Sequence, residues 1–263
     1  MKKIFIPILA AAVWLVSCNK TEIQNTASDS DQTVLQKDSN SLQTDSIKLA
    51  DSLVLSKTLT VDYKQKVLLF SGLDKQVLDS LYKDEIKPQE DYSKANIEAA
   101  LNENMTKYFN ENKENVKDYM PDFKQTWDRF SEMKVFSTEN DFLTIKYNGY
   151  GFSGGAHGYA YENYKIADLK NQKKIQLEDI VEVSKVDWND VLLKQTDSDK
   201  FMIFEPGKLS YNQNFYFDSQ GITFVYGQYE IAPYAAGIIP IHIPYSKIME
   251  ALKPDFKNRM DIK

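Results

Sequence analysis

Phe215-Tyr216-Phe217-Asp218-Ser219-Gln220-Gly221-Ile222-Thr223-Phe224-Val225-Tyr226 sets two runs of aromatic and β-branched residues on either side of a polar turn. Runs of this kind favour strands, and a short Asp/Ser/Gly connection makes them antiparallel neighbours. Downstream, Ile239, Ile241 and Ile243 alternate as one more strand, and Ile248, Met249 and Leu252 are spaced as a last short helix. Upstream, residues 133–137 and 142–150 read as neighbouring strands around the turn Glu139-Asn140-Asp141, and another strand runs from Tyr159 to about Leu169. Leu59, Val61, Tyr63, Val67 and Leu69 share one parity, the period of a half-buried strand. Helical spacing then takes over in Leu73, Val77, Leu78, Leu81 and Tyr82, which Pro88 closes. It resumes in Ile97, Leu101, Met105, Tyr108, Phe109 and Val116 behind a candidate N-cap, Ser93, and Pro121 ends it. Residues 177–181 suggest a short helical piece, and Ser184 with Asp187 suggests a capping box for a helix carrying Trp188, Val191 and Leu192. Helices early and hairpins late predict an α+β fold, an antiparallel sheet with helices packed on it. A doubly wound nucleotide fold would need regular strand–helix alternation, which is absent.

The chain begins differently. Lys2 and Lys3 precede an apolar run, residues 4–16, interrupted by Pro7 and followed by Ser17 and Cys18. A charged start, a short apolar core and a small-residue exit make a secretory signal over residues 1–17, too short to span a bilayer, which takes roughly 20 residues. Leu15-Val16-Ser17-Cys18 resembles the lipobox of bacterial lipoproteins. That resemblance implies cleavage before Cys18 and a thiol carrying diacylglycerol, with acyl chains such as palmitate, so Cys18 is the expected lipidation site. It is the only cysteine, so no disulfide or thiolate metal site is left to the domain. Residues 19–56 are rich in Ser, Asp, Thr, Gln and Asn and contain no aromatic residue, a composition that reads as a tether. A faint helical pattern, Leu42, Ile47, Leu49 and Leu53, crosses it. The expected organisation is therefore a signal peptide (1–17), a lipidated N-terminus and flexible linker (18–57), an N-terminal part (58–150) and a C-terminal part (151–263), the last two packed as one unit.

Aromatic residues make up 13% of the chain, enough for a core of substantial size. Loss of the leader, with two lysines and no acid, lowers the 32 basic residues to 30 against 38 acidic ones, a net charge of −8. Such a surface repels nucleic acid and anionic membrane and mildly favours basic partners.

Few residues carry chemistry. His157 and His242 are the only histidines, at no metal-binding spacing, so neither a metal nor a cofactor is expected. His242 is out of phase with Ile239, Ile241 and Ile243 and should point away from their face. His157 lies in Gly154-Gly155-Ala156-His157-Gly158, within the window that holds half of the ten glycines. Two readings of this loop stand open: glycines that let a partner approach, with the imidazole as polar anchor, or glycines that turn the chain while His157 braces a neighbouring strand. Gly154, Gly155, His157 and Gly158 are thus the candidate binding or structural loop. No G-x-S-x-G elbow surrounds Ser153, no phosphate loop follows the glycines, and the acids, such as Asp128 with Glu132, are too many to pair by spacing. No catalytic residue is assigned. Tyr147, Tyr150, Phe152, Tyr159, Tyr161 and Tyr164, and a second group from Tyr211 to Tyr234, must alternate between sheet faces, which suits either a thick core or an exposed recognition surface.

The segment from Gly154 to Gly158, then Asp168-Leu169-Lys170, Ile175-Gln176-Leu177-Glu178-Asp179 and the segment from Tyr229 to Gly237 resemble the extracytoplasmic domain of RsiV-type anti-sigma factors. Phe70-Ser71-Gly72-Leu73 and its surroundings are similar to the companion domain found beside the peptidoglycan deacetylase PdaC. Together these cover about residues 58–255. The resemblance implies an extracytoplasmic binding domain, with lysozyme or peptidoglycan fragments as expected partners. The sigma-binding segment, the spanning helix and the deacetylase metal pattern of those families are missing here. The expectation is a lipid-anchored, non-catalytic binding protein of the cell envelope, on the outer membrane facing either the periplasm or the outside. An envelope glycan hydrolase using His157 and acids such as Glu162, or a purely structural lipoprotein, are the alternatives.

Overall fold

The computed structural model describes residues 44–117 and 120–263; the expected signal peptide and Cys18 lie outside them. The mixed α+β expectation holds. A six-stranded sheet is built in sequence order from β1 (Thr44–Val54), β2 (Leu59–Phe70), β3 (Gln125–Glu139), β4 (Phe142–Phe152), β5 (Tyr159–Asp168) and β6 (Lys173–Ile175). Neighbours pair antiparallel except β2 with β3, which run parallel from Leu59↔Gln125 to Lys66↔Glu132. That pair needs a crossover, supplied by helices α1 (Lys75–Tyr82) and α2 (Lys94–Asn115). Ser93 caps α2 as expected, accepting from the backbone N–H of Asn96.

β1 corrects the linker expected to run to residue 57. Ile47, Leu49 and Leu53 belong to a strand that pairs with β2 from Thr60 to Phe70, not to a helix or a tether. An edge strand buries one side only, so Lys48, Ala50 and Ser52 remain exposed and the composition still looks like a spacer.

Alternation divides the large sheet into two faces. On one, Val61, Tyr63, Val67, Met133, Leu143, Ile145 and Tyr147 pack beneath α1 and α2 with Val77, Leu81, Ile97 and Leu101. Two of the buried tyrosines satisfy their hydroxyls on backbone carbonyls: Tyr147 donates to that of Leu81 at 2.7 Å and Tyr82 to that of Leu68 at 2.6 Å. An unpartnered buried hydroxyl would cost about 1–3 kcal/mol. On the other face, Phe142, Ile166 and Ile175 meet a second core. This core is organised around a three-stranded sheet of β7 (Phe215–Phe217), β8 (Gly221–Tyr226) and β9 (Ile239–Pro244). The Asp218–Gln220 turn makes the hairpin read from sequence, and Tyr245 donates to the Asp218 carbonyl beneath it. A register shift between Val135 and Ser137 turns Phe136 toward this second layer, where its ring lies 4.7 Å from that of Tyr216.

Four short helices complete the C-terminal part: α3 (Leu177–Ile180), α4 (Trp188–Lys194), α5 (Ser198–Phe201) and α6 (Pro254–Met260). The capping box sits on α3, between Gln176 and Asp179. Ser184 lies in a separate 3-10 turn, and α4 is capped by Asp187 accepting from Asp190 N–H. The last helix is also later than expected, because Pro254 fixes its first turn and residues 248–251 remain a turn. His242 is exposed between the buried Ile241 and Ile243, bonded to Thr223 Oγ1 at 3.0 Å.

Strand β4 runs through the 150/151 boundary and pairs with β5, so the segments on either side share one sheet. Side-chain amides fasten the second layer to it along the free edge of β5: Asn214 Oδ1 accepts from Tyr164 N–H and Gln228 Oε1 from Ala160 N–H, both at 2.8 Å. At the far end Arg259 of α6 donates through Nη1 to Asp168 Oδ2 at 2.6 Å and through Nε to the Asn140 carbonyl at 2.7 Å, while its guanidinium lies 3.7 Å over the Phe142 ring.

Candidate functional site

His157 is held where the two layers meet. Gly154 and Gly155 turn the chain out of β4 with φ of +91° and +87°, values that a side chain rarely tolerates. Gly158 brings it back into β5 directly under the Tyr150 ring, where a Cβ would come within 2.2 Å of the hydroxyl. Between these points His157 is exposed, and its ring stacks on Tyr234, centroids 3.8 Å apart at 22°.

Tyr234 comes from the connection between β8 and β9, which also supplies Tyr229. The two segments whose sequences carry the family resemblance therefore form one surface. Tyr229 adopts a left-handed φ of 64°, uncommon for an aromatic residue. Glu230 holds the turn by accepting from Gly227 N–H at 2.7 Å and Asn212 Nδ2 at 2.9 Å. The Tyr229 hydroxyl then sits 3.3 Å from His157 Nε2, while His157 Nδ1 lies 3.1 Å from the Gly158 carbonyl. A carbonyl only accepts, so the proton belongs on Nδ1, and Nε2 accepts from Tyr229. This assignment fixes the ring and leaves its outer edge to solvent, beside Tyr229 and Tyr159, exposed by 55% and 52%.

Of the residues singled out in sequence, Gly154, Gly155, His157 and Gly158 share this loop: Gly154 and Gly155 turn the chain, and His157 meets Tyr229 and Tyr234 of the second layer while staying exposed. Ser153 makes no hydrogen bond to His157, and no carboxylate orients the imidazole among the described residues. Glu162 is engaged elsewhere, with Lys146 at 2.6 Å and the Tyr164 hydroxyl at 2.6 Å. Asp128 and Glu132 lie on β3, not on a helix; Glu132 pairs with Lys66 and Lys134. Among the described residues no group of three or more His, Cys, Asp or Glu gathers to hold a metal, and no helix is long and apolar enough to cross a membrane. The arrangement can therefore offer ring faces, hydroxyls and an imidazole edge to a partner, but it has no oriented nucleophile. Tyr229 and Tyr234 stand more than 70 residues from His157, and only their place in a distinctive segment marked them.

Residues 54–160 match the family model described as deacetylase PdaC, and residues 160–246 match DUF3298, described as a protein of unknown function. Among solved structures, a DUF3298 family member from Bacteroides fragilis is similar over 84% of this chain and 98% of its own, with 22% identity and a TM-score of 0.67. A DUF3298 family protein from Pseudomonas aeruginosa is similar over 80% and 95%, with 18% identity and a TM-score of 0.50. At these identities the likeness establishes the fold. No curated protein matches the chain.

Proposed function

We propose that this protein is a lipid-anchored binding protein of the cell envelope. It would recognise a cell-wall-related partner, a lysozyme or a peptidoglycan fragment, without catalysing a reaction on it. The carrying observation is the aromatic face formed by exposed His157, Tyr229 and Tyr159 with half-buried Tyr234, presented by two loops and the start of β5. Tyrosines present a large contact area with few torsions to freeze, and rigid backing lowers the entropy lost on binding. The two family-model matches support an envelope setting, one being named for a deacetylase. The acidic balance supports a basic partner such as a lysozyme by speeding encounter. The lipobox-like Cys18 supports attachment to a membrane, on the outer membrane by the absence of Asp after the cysteine.

The test uses the chain from Asn19 to Lys263, because a shorter form beginning at residue 57 would lose β1. Immobilised, it should retain lysozyme or muropeptides at moderate salt, and the Tyr229→Ala/Tyr234→Ala variant should retain at least tenfold less. No retention by the unaltered protein overturns the reading. Hydrolysis of peptidoglycan that His157→Ala abolishes would contradict its non-catalytic part. In cells, Cys18→Ala should move the protein from the membrane to the soluble fraction and remove palmitate labelling.

A further inference from the structure

A second cleft lies on the helix side of the large sheet and owes nothing to the aromatic face. Residues 83–88, which leave α1, form one wall; Asn104 and Tyr108 of α2 and Arg129 of β3 form the others, around a cavity of about 360 Å³. That volume falls at the lower end of small-molecule sites, roughly 300–1,000 Å³. Glu85 lines it and is 93% buried, the complement of its 7% exposure.

The hydrogen-bond partners of the Glu85 carboxyl are neutral. Gln65 Nε2 donates to its Oε2 at 3.0 Å, and Ser131 Oγ lies 3.5 Å from the same oxygen. Gln65 is fixed by the Tyr63 hydroxyl at 2.6 Å, and Asn104 Nδ2 holds the Glu85 backbone carbonyl at 2.7 Å. These bonds all leave Oε1 without a partner. Two cations lie close enough to act on the carboxyl, Lys165 and Arg129. Lys165 is already taken, by Asp84 at 2.8 Å and by the Leu81 carbonyl at 3.3 Å. Arg129 makes no ion pair among the described residues. The facing strand residue, Gly151, adds no side chain beside it. A further polar atom in the wall, the Tyr108 hydroxyl, is buried without a hydrogen-bond partner.

A guanidinium without a counter-ion and a carboxyl oxygen without a donor thus line one small cleft without touching each other. We propose that this cleft binds a small zwitterion, a free amino acid or the ends of a short peptide. Its carboxylate would lie on the Arg129 fork and its ammonium on Glu85 Oε1. Guanidinium matches carboxylate through two parallel hydrogen bonds, and an ammonium supplies the charge that Glu85 lacks. Burial pushes the Tyr108 hydroxyl in the cleft wall up to about 12, so it remains a donor toward the ligand.

The test titrates L-alanine and L-alanyl-L-alanine into the chain from Asn19 to Lys263 and follows the side-chain amide NMR signals of Gln65 and Asn104. Saturable shifts are expected with one or both, alanine favouring a free amino acid and the dipeptide a peptide. Acetate, methylamine and N-acetyl-alanine, each lacking one charge, should bind at least tenfold more weakly. Arg129→Gln should weaken zwitterion binding at least tenfold. The proposal is overturned if neither zwitterion moves these signals, if Arg129→Gln binds equally well, or if N-acetyl-alanine matches alanine. The last comparison uses the unaltered protein and needs no variant to fold.

Discussion

Asp168, at the end of β5, and Glu85, in the exit from α1 over β2 and β3, are both deeply buried acids, exposed by 3% and 7%. Asp168 is fully engaged: Arg259 and the Asn171 amide hold one oxygen, and the backbone N–H groups of Lys170 and Asn171 hold the other. Glu85 has only a neutral amide and a hydroxyl on one oxygen. Burial raises both carboxyls. At Asp168 the Arg259 guanidinium and the Asn171 hydrogen bonds outweigh it and pull the group below the usual aspartate range. At Glu85 burial prevails over Gln65, Lys165 and Arg129, and the group is pushed above the usual glutamate range. Depth alone therefore does not separate a structural carboxyl from one kept for a ligand; the partners do.

Removing the charge of each acid should have opposite effects. Asp168→Asn leaves Arg259 half-buried without its partner and should destabilise the fold by about 3 kcal/mol at neutral pH. A depressed folded value stabilises above the unfolded one, so this loss should fade as pH falls through the Asp168 titration, as urea unfolding at pH 7 and pH 3 would reveal. Glu85→Gln should do the reverse, stabilising by on the order of 1 kcal/mol at pH 7. Here the folded chain holds its proton longer than the unfolded one, so the native protein loses stability as pH rises from the unfolded value through the raised folded value. Below that window the variant and the unaltered protein should unfold alike. The exposed pair of Lys194 with Asp190 calibrates both: Lys194→Ala should change stability by less than about 0.5 kcal/mol, and salt should erase the difference.

The strands with strict alternation and the two early helices were legible, because each buries one face and its spacing says so. β1 was not, since an edge strand shows half its residues to water and its serines and aspartates resemble a tether. The parallel pairing of β2 with β3 was also hidden, for it is made by the crossover between them and not by a local turn. The glycines around His157 announced a loop, yet its stacking partner Tyr234 is brought there only by the docking of the second layer. Glu85 carried no mark at all: Lys83-Asp84-Glu85 reads like any charged helix exit, and its burial follows from α2 and β3 closing over it.

The contrast between these two acids can be read in one experiment, a carbon-13 NMR titration of the Asp168 and Glu85 side-chain carboxyls in the same sample. The account predicts that Glu85 titrates above the usual glutamate range and Asp168 below the usual aspartate range, with Glu85 moving when L-alanine is added and Asp168 unmoved. A Glu85 carboxyl that ionises at or below the ordinary value would contradict it.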